Sequence, residues 1–318
     1  MTGLSTPILK NGYLLLLIVI IFTVFNYLFF FRPLLLNWGA RSSEIANSYP
    51  CEDRLSRARI LSTHVVEVHA PARQVWPWLV QIGQDRAGFY TYDFLEKALG
   101  TGISNANRLE PSWQQLHAGD KIKLARGMEG LEVAAIDQGH YFTLNADSRT
   151  GKSPFPIRSS RFYFAIVWTF YLSEESPDQT RLIARWRADW GDNWIFSAVS
   201  YGLVEWGAFI MERRMLMAIR DLAENRPGAA EVPALSDMFW FASMWVAGFG
   251  VLVACFGRQR GIAVFTALFG TILTLLTLFT LPPTAWFGIP TAVLIWTGTL
   301  FSCRASTSNS VPAMNTES

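Results

Sequence analysis

Charge is nearly missing from both ends of this chain. It carries 27 basic and 25 acidic residues, and 44 of these lie between Arg41 and Ala230. That stretch is about 23% charged, an ordinary soluble value, and its charges balance. The flanks hold only Lys10, Arg32, Glu231, Asp237, Arg258, Arg260, Arg304 and Glu317. This distribution excludes a disordered chain and a nucleic-acid binder held by bulk charge. Cysteine is also scarce: of three, Cys51 alone falls in the charged middle, so that part forms no internal disulfide. Its four histidines, His64, His69, His117 and His140, show no metal-binding helical spacing, and there is no Cys-x-x-Cys. A nucleophile elbow and a phosphate loop are absent, and Gly100-Thr101-Gly102 lacks the third glycine of a dinucleotide fingerprint. No metal and no cofactor is expected.

The flanks have long apolar runs instead. Asn11 to Phe31 is 21 residues without an ionisable group other than tyrosine. At ~1.5 Å per residue it covers the ~30 Å of hydrocarbon. Bulky Phe29, Phe30 and Phe31 stand where a signal peptidase site would need small residues, so the run reads as an uncleaved anchor. Met238–Phe256, Ile262–Leu281 and Thr284–Cys303 are three further candidate spans, separated by the Gly257–Gly261 turn and by Pro282-Pro283. The short Arg258/Arg260 turn favours the N-terminus inside and the charged middle on the non-cytoplasmic side. The organisation expected is an anchor and juxtamembrane stretch (1–40), a polar linker (41–59), a soluble domain (60–226), a linker (227–237), a membrane region (238–304) and a disordered tail (305–318).

Within the middle, Thr63–Val68 reads as a strand, followed by Pro71 at the first turn of a helix. Val75, Trp78, Leu79 and Ile82 form that helix's apolar stripe, kinked at Pro77 and closed by Gly83. Thr91–Leu99 fits a second helix. Period-2 segments follow at 121–125, 131–136, 141–146, 162–172 and 181–188. In the last, Arg181, Arg185 and Arg187 share one face, opposite Leu182, Ala184, Trp186 and Ala188. Residues 196–225 form a long final helix with Val204, Ala208, Met211, Met215, Ala218 and Leu222 on one stripe. The fold class is α+β: a bent antiparallel sheet around one long helix.

Ala70-Pro71, Val75-Trp76-Pro77-Trp78-Leu79-Val80-Gln81-Ile82-Gly83 and the continuation Asp85–Glu96 resemble the SRPBCC superfamily of helix-grip (START-like, polyketide cyclase/dehydrase-like) domains. Asn107-Arg108, Pro111-x-Trp113-Gln114-x-Leu116 and Gly119-Asp120 look like a membrane-anchored bacterial subgroup of it. The resemblance covers about residues 60–225. It implies a sheet gripping the last helix around an apolar cavity, such as relatives use for lipids, sterols, aromatic polyketides or hormones.

The candidate ligand contacts are Asp85, Arg86, Tyr90, Tyr92 and Asp93, a polar and aromatic connection that suits a cavity mouth. Asp85–Arg86 or Asp93–Arg108 ion pairs fixing loops are the structural alternative. Trp168, Trp186, Met211 and Met215 are candidate cavity walls. Three functions fit: a membrane-tethered binder of a hydrophobic small molecule or lipid, a cyclase, dehydratase or hydrolase using the same cavity, and a sensory or interaction module for the membrane helices. The first is favoured because no catalytic constellation stands out. The partners expected are that small molecule and the membrane, not nucleic acid. The location expected is multi-pass in a bacterial cytoplasmic membrane.

Overall fold

A computed structural model describes residues 27–151 and 163–226, with 14, 17, 18, 20–22, 24 and 25. Among the described residues no helix is long and apolar enough to cross a membrane. The three C-terminal candidate spans and most of the first half of the anchor lie outside the described residues. Those of the anchor that are described are helical, with Leu14, Ile18, Phe22 and Phe25 exposed. Arg32–Val232 forms a separate compact unit.

That unit is built on six antiparallel strands: β1 (Ile60–Val68), β2 (Lys121–Ile122), β3 (Leu131–Asp137), β4 (Tyr141–Asp147), β5 (Phe164–Ser176) and β6 (Gln179–Trp190). Their order across the sheet is β1-β6-β5-β4-β3-β2, so the first strand pairs with the last and every other neighbour is a sequential hairpin. Bulges interrupt β3 between Val133 and Ala135 and β5 between Glu174 and Ser176, and such insertions bend strands.

Two short helices precede the sheet, α1 (Arg32–Leu36) and α2 (Ser42–Ala46); α3 (Ala72–Val80) and α4 (Asp93–Ala98) join β1 to β2. After β6 come α5 (Trp194–Val199), a π-helical turn (Ser200–Val204) and α6 (Glu205–Ala223), the expected final helix. Pro71 caps α3, whose Pro77 lies inside the helix. The more buried tryptophan of α3 is Trp76, at 9% exposure, while Trp78 is half-buried. Trp76 meets Phe142 edge-on under the sheet.

Alternation in the long strands produces two different faces. Phe164, Ile166 and Phe170 of β5, with Leu182, Ala184, Trp186 and Trp190 of β6, join the main core beneath α3 and α6. The opposite face carries Arg181, Arg185 and Arg187. Residues 41–59 are not a free linker, however, but a cover over this face. Tyr49 packs with Val65 and Ile183, and Leu55 with Ala165 and Val167. Arg181 Nε donates to Glu44 Oε1 at 2.5 Å, and Arg185 Nε to Glu52 Oε1 at 2.8 Å. Glu52 also takes Arg187 at 3.3 Å. Arg181 and Arg185 are buried because the carboxylates that neutralise them arrive from a segment over 130 residues earlier.

Glu44 makes this cover sensitive to acid. Burial raises its carboxyl pKa, but hydrogen bonds from Arg181 and from the Arg41 backbone outweigh burial and hold it below its ordinary value. Its stabilising effect is complete above the unfolded carboxyl pKa of ~4.3 and is lost as pH falls through the lower folded value. Glu44→Gln is expected to lower stability near neutrality and to flatten its decline in acid. Urea unfolding at a series of pH values measures both, and an unchanged acid slope would remove Glu44 from the response.

Candidate functional site

Between the inner face of the sheet, α6 and the segment around α4 lies a cavity of about 250 Å³. Its sheet wall is Leu131, Phe164, Ile166, Trp168 and Trp186; its helix wall is Val204, Ala208, Met211, Glu212 and Met215. Phe89, Thr91, Glu96, Ile103 and Leu124 complete the lining. The helix stripe therefore divides by position. Met215, Ala218 and Leu222 are packed into the core, whereas Val204, Ala208 and Met211 keep partial exposure beside the cavity. Phe89 stacks on Trp168 with ring centroids 6.3 Å apart and planes inclined at 21°.

Two carboxyl side chains interrupt this apolar lining, Glu212 and Glu96. Glu212 of α6 is 6% exposed, and its Oε1 accepts from Trp168 Nε1 at 2.5 Å. Its Oε2 meets His64 Nδ1, from β1. The other ring nitrogen, His64 Nε2, lies 2.8 Å from the Leu35 carbonyl oxygen, which only accepts. Nε2 therefore bears hydrogen, and the proton between Nδ1 and Glu212 belongs to one partner or the other. The pair carries no net charge whichever partner holds that proton. Glu96 of α4 differs: Thr91 Oγ1 donates to its Oε1 at 2.6 Å and Thr101 Oγ1 to its Oε2 at 2.8 Å. At 4% exposure it has hydroxyl partners and, among the described residues, no ion pair.

Of the residues expected at the site, Trp168, Trp186, Met211 and Met215 stand together on the cavity wall. Asp85, Arg86, Tyr90, Tyr92 and Asp93 are not among its lining residues; from their segment the cavity receives Phe89 and Thr91. Arg86 donates to the backbone carbonyls of Val80, at 3.1 Å, and Trp113, and burial holds its pKa below the usual value. Asp85 pairs with Lys123 at 3.2 Å on the surface. The Tyr90 hydroxyl donates to the Trp78 carbonyl at 3.1 Å and accepts from Gln81 Nε2 at 2.7 Å. Burial pushes its phenol pKa far up. Tyr92 is buried, with the Arg214 guanidinium 5.8 Å from its ring centre. Asp93 accepts from Asn105 Nδ2 at 2.6 Å. Asn105 also takes the Phe89 N–H at 3.1 Å and donates to the Thr91 carbonyl at 3.0 Å. It crowds Gly88 so closely that a Cβ there would stand 2.5 Å from its Oδ1, and Gly88 has φ +72°. The segment is thus clamped in a shape that turns Phe89 and Thr91 inward.

Sequence reasoning missed His64, Glu96 and Glu212. Glu212 sits off the apolar stripe of α6, where a solvated charge is the usual reading. That face is covered by the residues after the anchor: Arg32 grips Glu205 through Nε and Nη2 at 3.0 and 2.7 Å. Arg213, 2% exposed, lies over Trp38, and burial lowers its pKa to about 10.

A strand, two connecting helices, an antiparallel run and a final helix gripping an apolar cavity make up the arrangement that the Ala70–Gly83 resemblance implied. The fold class is α+β, a six-stranded antiparallel sheet with one long final helix across it. No protein-family profile and no curated protein matches this chain. Among solved structures, a conserved protein from Geobacillus kaustophilus is 12% identical over 52% of this chain and 96% of its own, with a TM-score of 0.32. Truncated norcoclaurine synthase from Thalictrum flavum is 13% identical over 51% and 91%, at 0.30. A polyketide-cyclase-like protein from Corynebacterium glutamicum is 12% identical over 54% and 89%, at 0.23. At these scores the likeness carries nothing about what the domain binds or does.

Proposed function

We propose that this chain is a membrane-tethered SRPBCC-type domain that holds a hydrophobic small molecule or lipid between its sheet and α6. The observation that supports this reading is the cavity of about 250 Å³, walled by Phe, Trp, Met and Ile side chains. A dry apolar cavity of ~150 Å³ already suffices to bind benzene, so a fused-ring or short acyl group fits. The tether is read from the apolar runs in the flanks, which would keep such a cavity close to bilayer solutes. On the Arg258/Arg260 turn, the domain stands on the non-cytoplasmic side of a bacterial cytoplasmic membrane.

Full-length protein extracted in mild detergent is expected to carry a small molecule visible by native mass spectrometry. Ala208→Phe places a ring in the cavity from α6 and is expected to abolish that adduct while the circular dichroism spectrum stays the same. Protein free of ligand under conditions that preserve known lipid complexes, or an adduct that persists in Ala208→Phe, would count against the reading.

Catalysis is the second reading, supported by Glu212 on the cavity wall and the His64 ring paired with it. A neutral pair sharing one proton can take up or release a proton at a bound molecule, as general acid–base chemistry requires. Release of an altered molecule from the bound one would favour this cyclase, dehydratase or hydrolase reading.

A further inference from the structure

The ionisable groups among the cavity's lining residues are of one kind. Its lining holds two carboxyl side chains and a threonine hydroxyl, and among the described residues no lysine, arginine or histidine. The two carboxyls are not equivalent. Glu212 shares a proton with His64 and accepts the Trp168 indole N–H, so its charge is met within the protein. Among the described residues Glu96 has hydroxyl donors alone, Thr91 and Thr101, the second within reach of the Glu96 carbonyl as well. An ionised carboxylate has about four acceptor sites, so room remains for further donors. Hydroxyl dipoles offset part of the desolvation of a buried carboxylate, but not as a full positive charge does. The stacked rings of Phe89 and Trp168, electron-rich on their faces, line the same cavity. A carboxylate, a π face and no cation form a surface that attracts positive charge and repels negative charge.

We infer that the cavity selects an apolar molecule bearing a protonated amine, with Glu96 as its counter-charge and specificity residue. This rests on the cavity-binding reading above and narrows the ligand class. The apolar body packs on the Phe89–Trp168 pair and the methionines of α6. The ammonium donates to Glu96 beside the two threonine hydroxyls. A fatty acid or other anionic amphiphile of the same size is excluded by charge rather than by shape.

Three probes sharing one ring system separate charge from apolar fit: naphthylethylamine, naphthylethanol and naphthylacetic acid. Isothermal titration calorimetry on the detergent-solubilised full chain near neutral pH is expected to rank them amine, alcohol, acid. The amine should exceed the alcohol by about tenfold, the equivalent of one charge-assisted hydrogen bond. Glu96→Gln should bring the amine to the level of the alcohol while leaving the alcohol's affinity within about twofold. Acid binding as tightly as amine in the parent protein would overturn the inference by itself, whatever the variant's folding. An amine preference that survives Glu96→Gln would also overturn it. If the alcohol binds but charge makes no difference, the cavity-binding reading stands and only this inference falls. If none of the three binds, both fall.

Discussion

His64→Leu is expected to cost the domain about 3–5 kcal/mol, the usual penalty for removing one partner of a buried charged pair. The substitution leaves Glu212 on the wall of an apolar cavity with, among the described residues, the Trp168 N–H as its one partner, and it strips the Leu35 carbonyl of its donor. Adding Glu212→Gln to that background should restore much of the loss. An amide oxygen still accepts the indole N–H, and no charge remains to be met. The two changes should therefore be strongly non-additive, with a coupling well above the ~0.5 kcal/mol expected of independent sites. A double-mutant cycle by urea unfolding measures it. Single losses below ~1 kcal/mol, or plain additivity, would show that water reaches the pair and that it is not buried as described.

A chain beginning at residue 60 is expected not to fold cooperatively, whereas one beginning at Arg32 should. The missing segment supplies Leu35, Tyr49 and Leu55, each 5% exposed or less. Burial of such side chains contributes about 1.5–3 kcal/mol apiece, together roughly 5–9 kcal/mol. A typical domain is stable by only ~5–15 kcal/mol in all. Val65, Ile183, Ala165 and Val167 would also return to water, and Glu44 and Glu52 would no longer neutralise Arg181, Arg185 and Arg187. Circular dichroism melting of the two chains, both ending at residue 226, makes the comparison. A sharp transition in the shorter chain, within a few degrees of the longer one, would show that residues 32–59 merely rest on the sheet.

Features legible in the sequence were those with a local or periodic cause. Alternation in β5 and β6 marks which side chains point to the core, because a strand's period of two is imposed by the pleat. The step of three and four along α6 places Met211 and Met215 on one face, and the cavity wall follows from that face. Pro71 and Gly83 mark the limits of the region around α3 because one lacks a backbone donor and the other has φ +126°. The expected contact segment, Asp85 to Asp93, was conspicuous for its polar and aromatic density. That density meets the needs of a compact, glycine-punctuated loop: Gln81, Asn105 and Arg86 satisfy backbone groups and a buried phenol there.

The sequence by itself determined how charge is divided between the middle and the flanks, the order of helices and strands, and which faces of the long elements are apolar. Only the tertiary structure decided what meets the remaining faces. An arginine stripe reads as solvent-exposed until Glu44 and Glu52 arrive from the far side of the chain to neutralise it. Glu212 reads as a solvated helix charge until β1 brings His64 beside it, 148 residues away in sequence. Glu96 reads as an ordinary charge on a short helix until the fold turns it inward between two threonines. The physical reason is common to all three. Whether a charged side chain is solvated or buried depends on partners brought by chain crossings, and neither propensity nor periodicity along one segment encodes which distant segment will cross it.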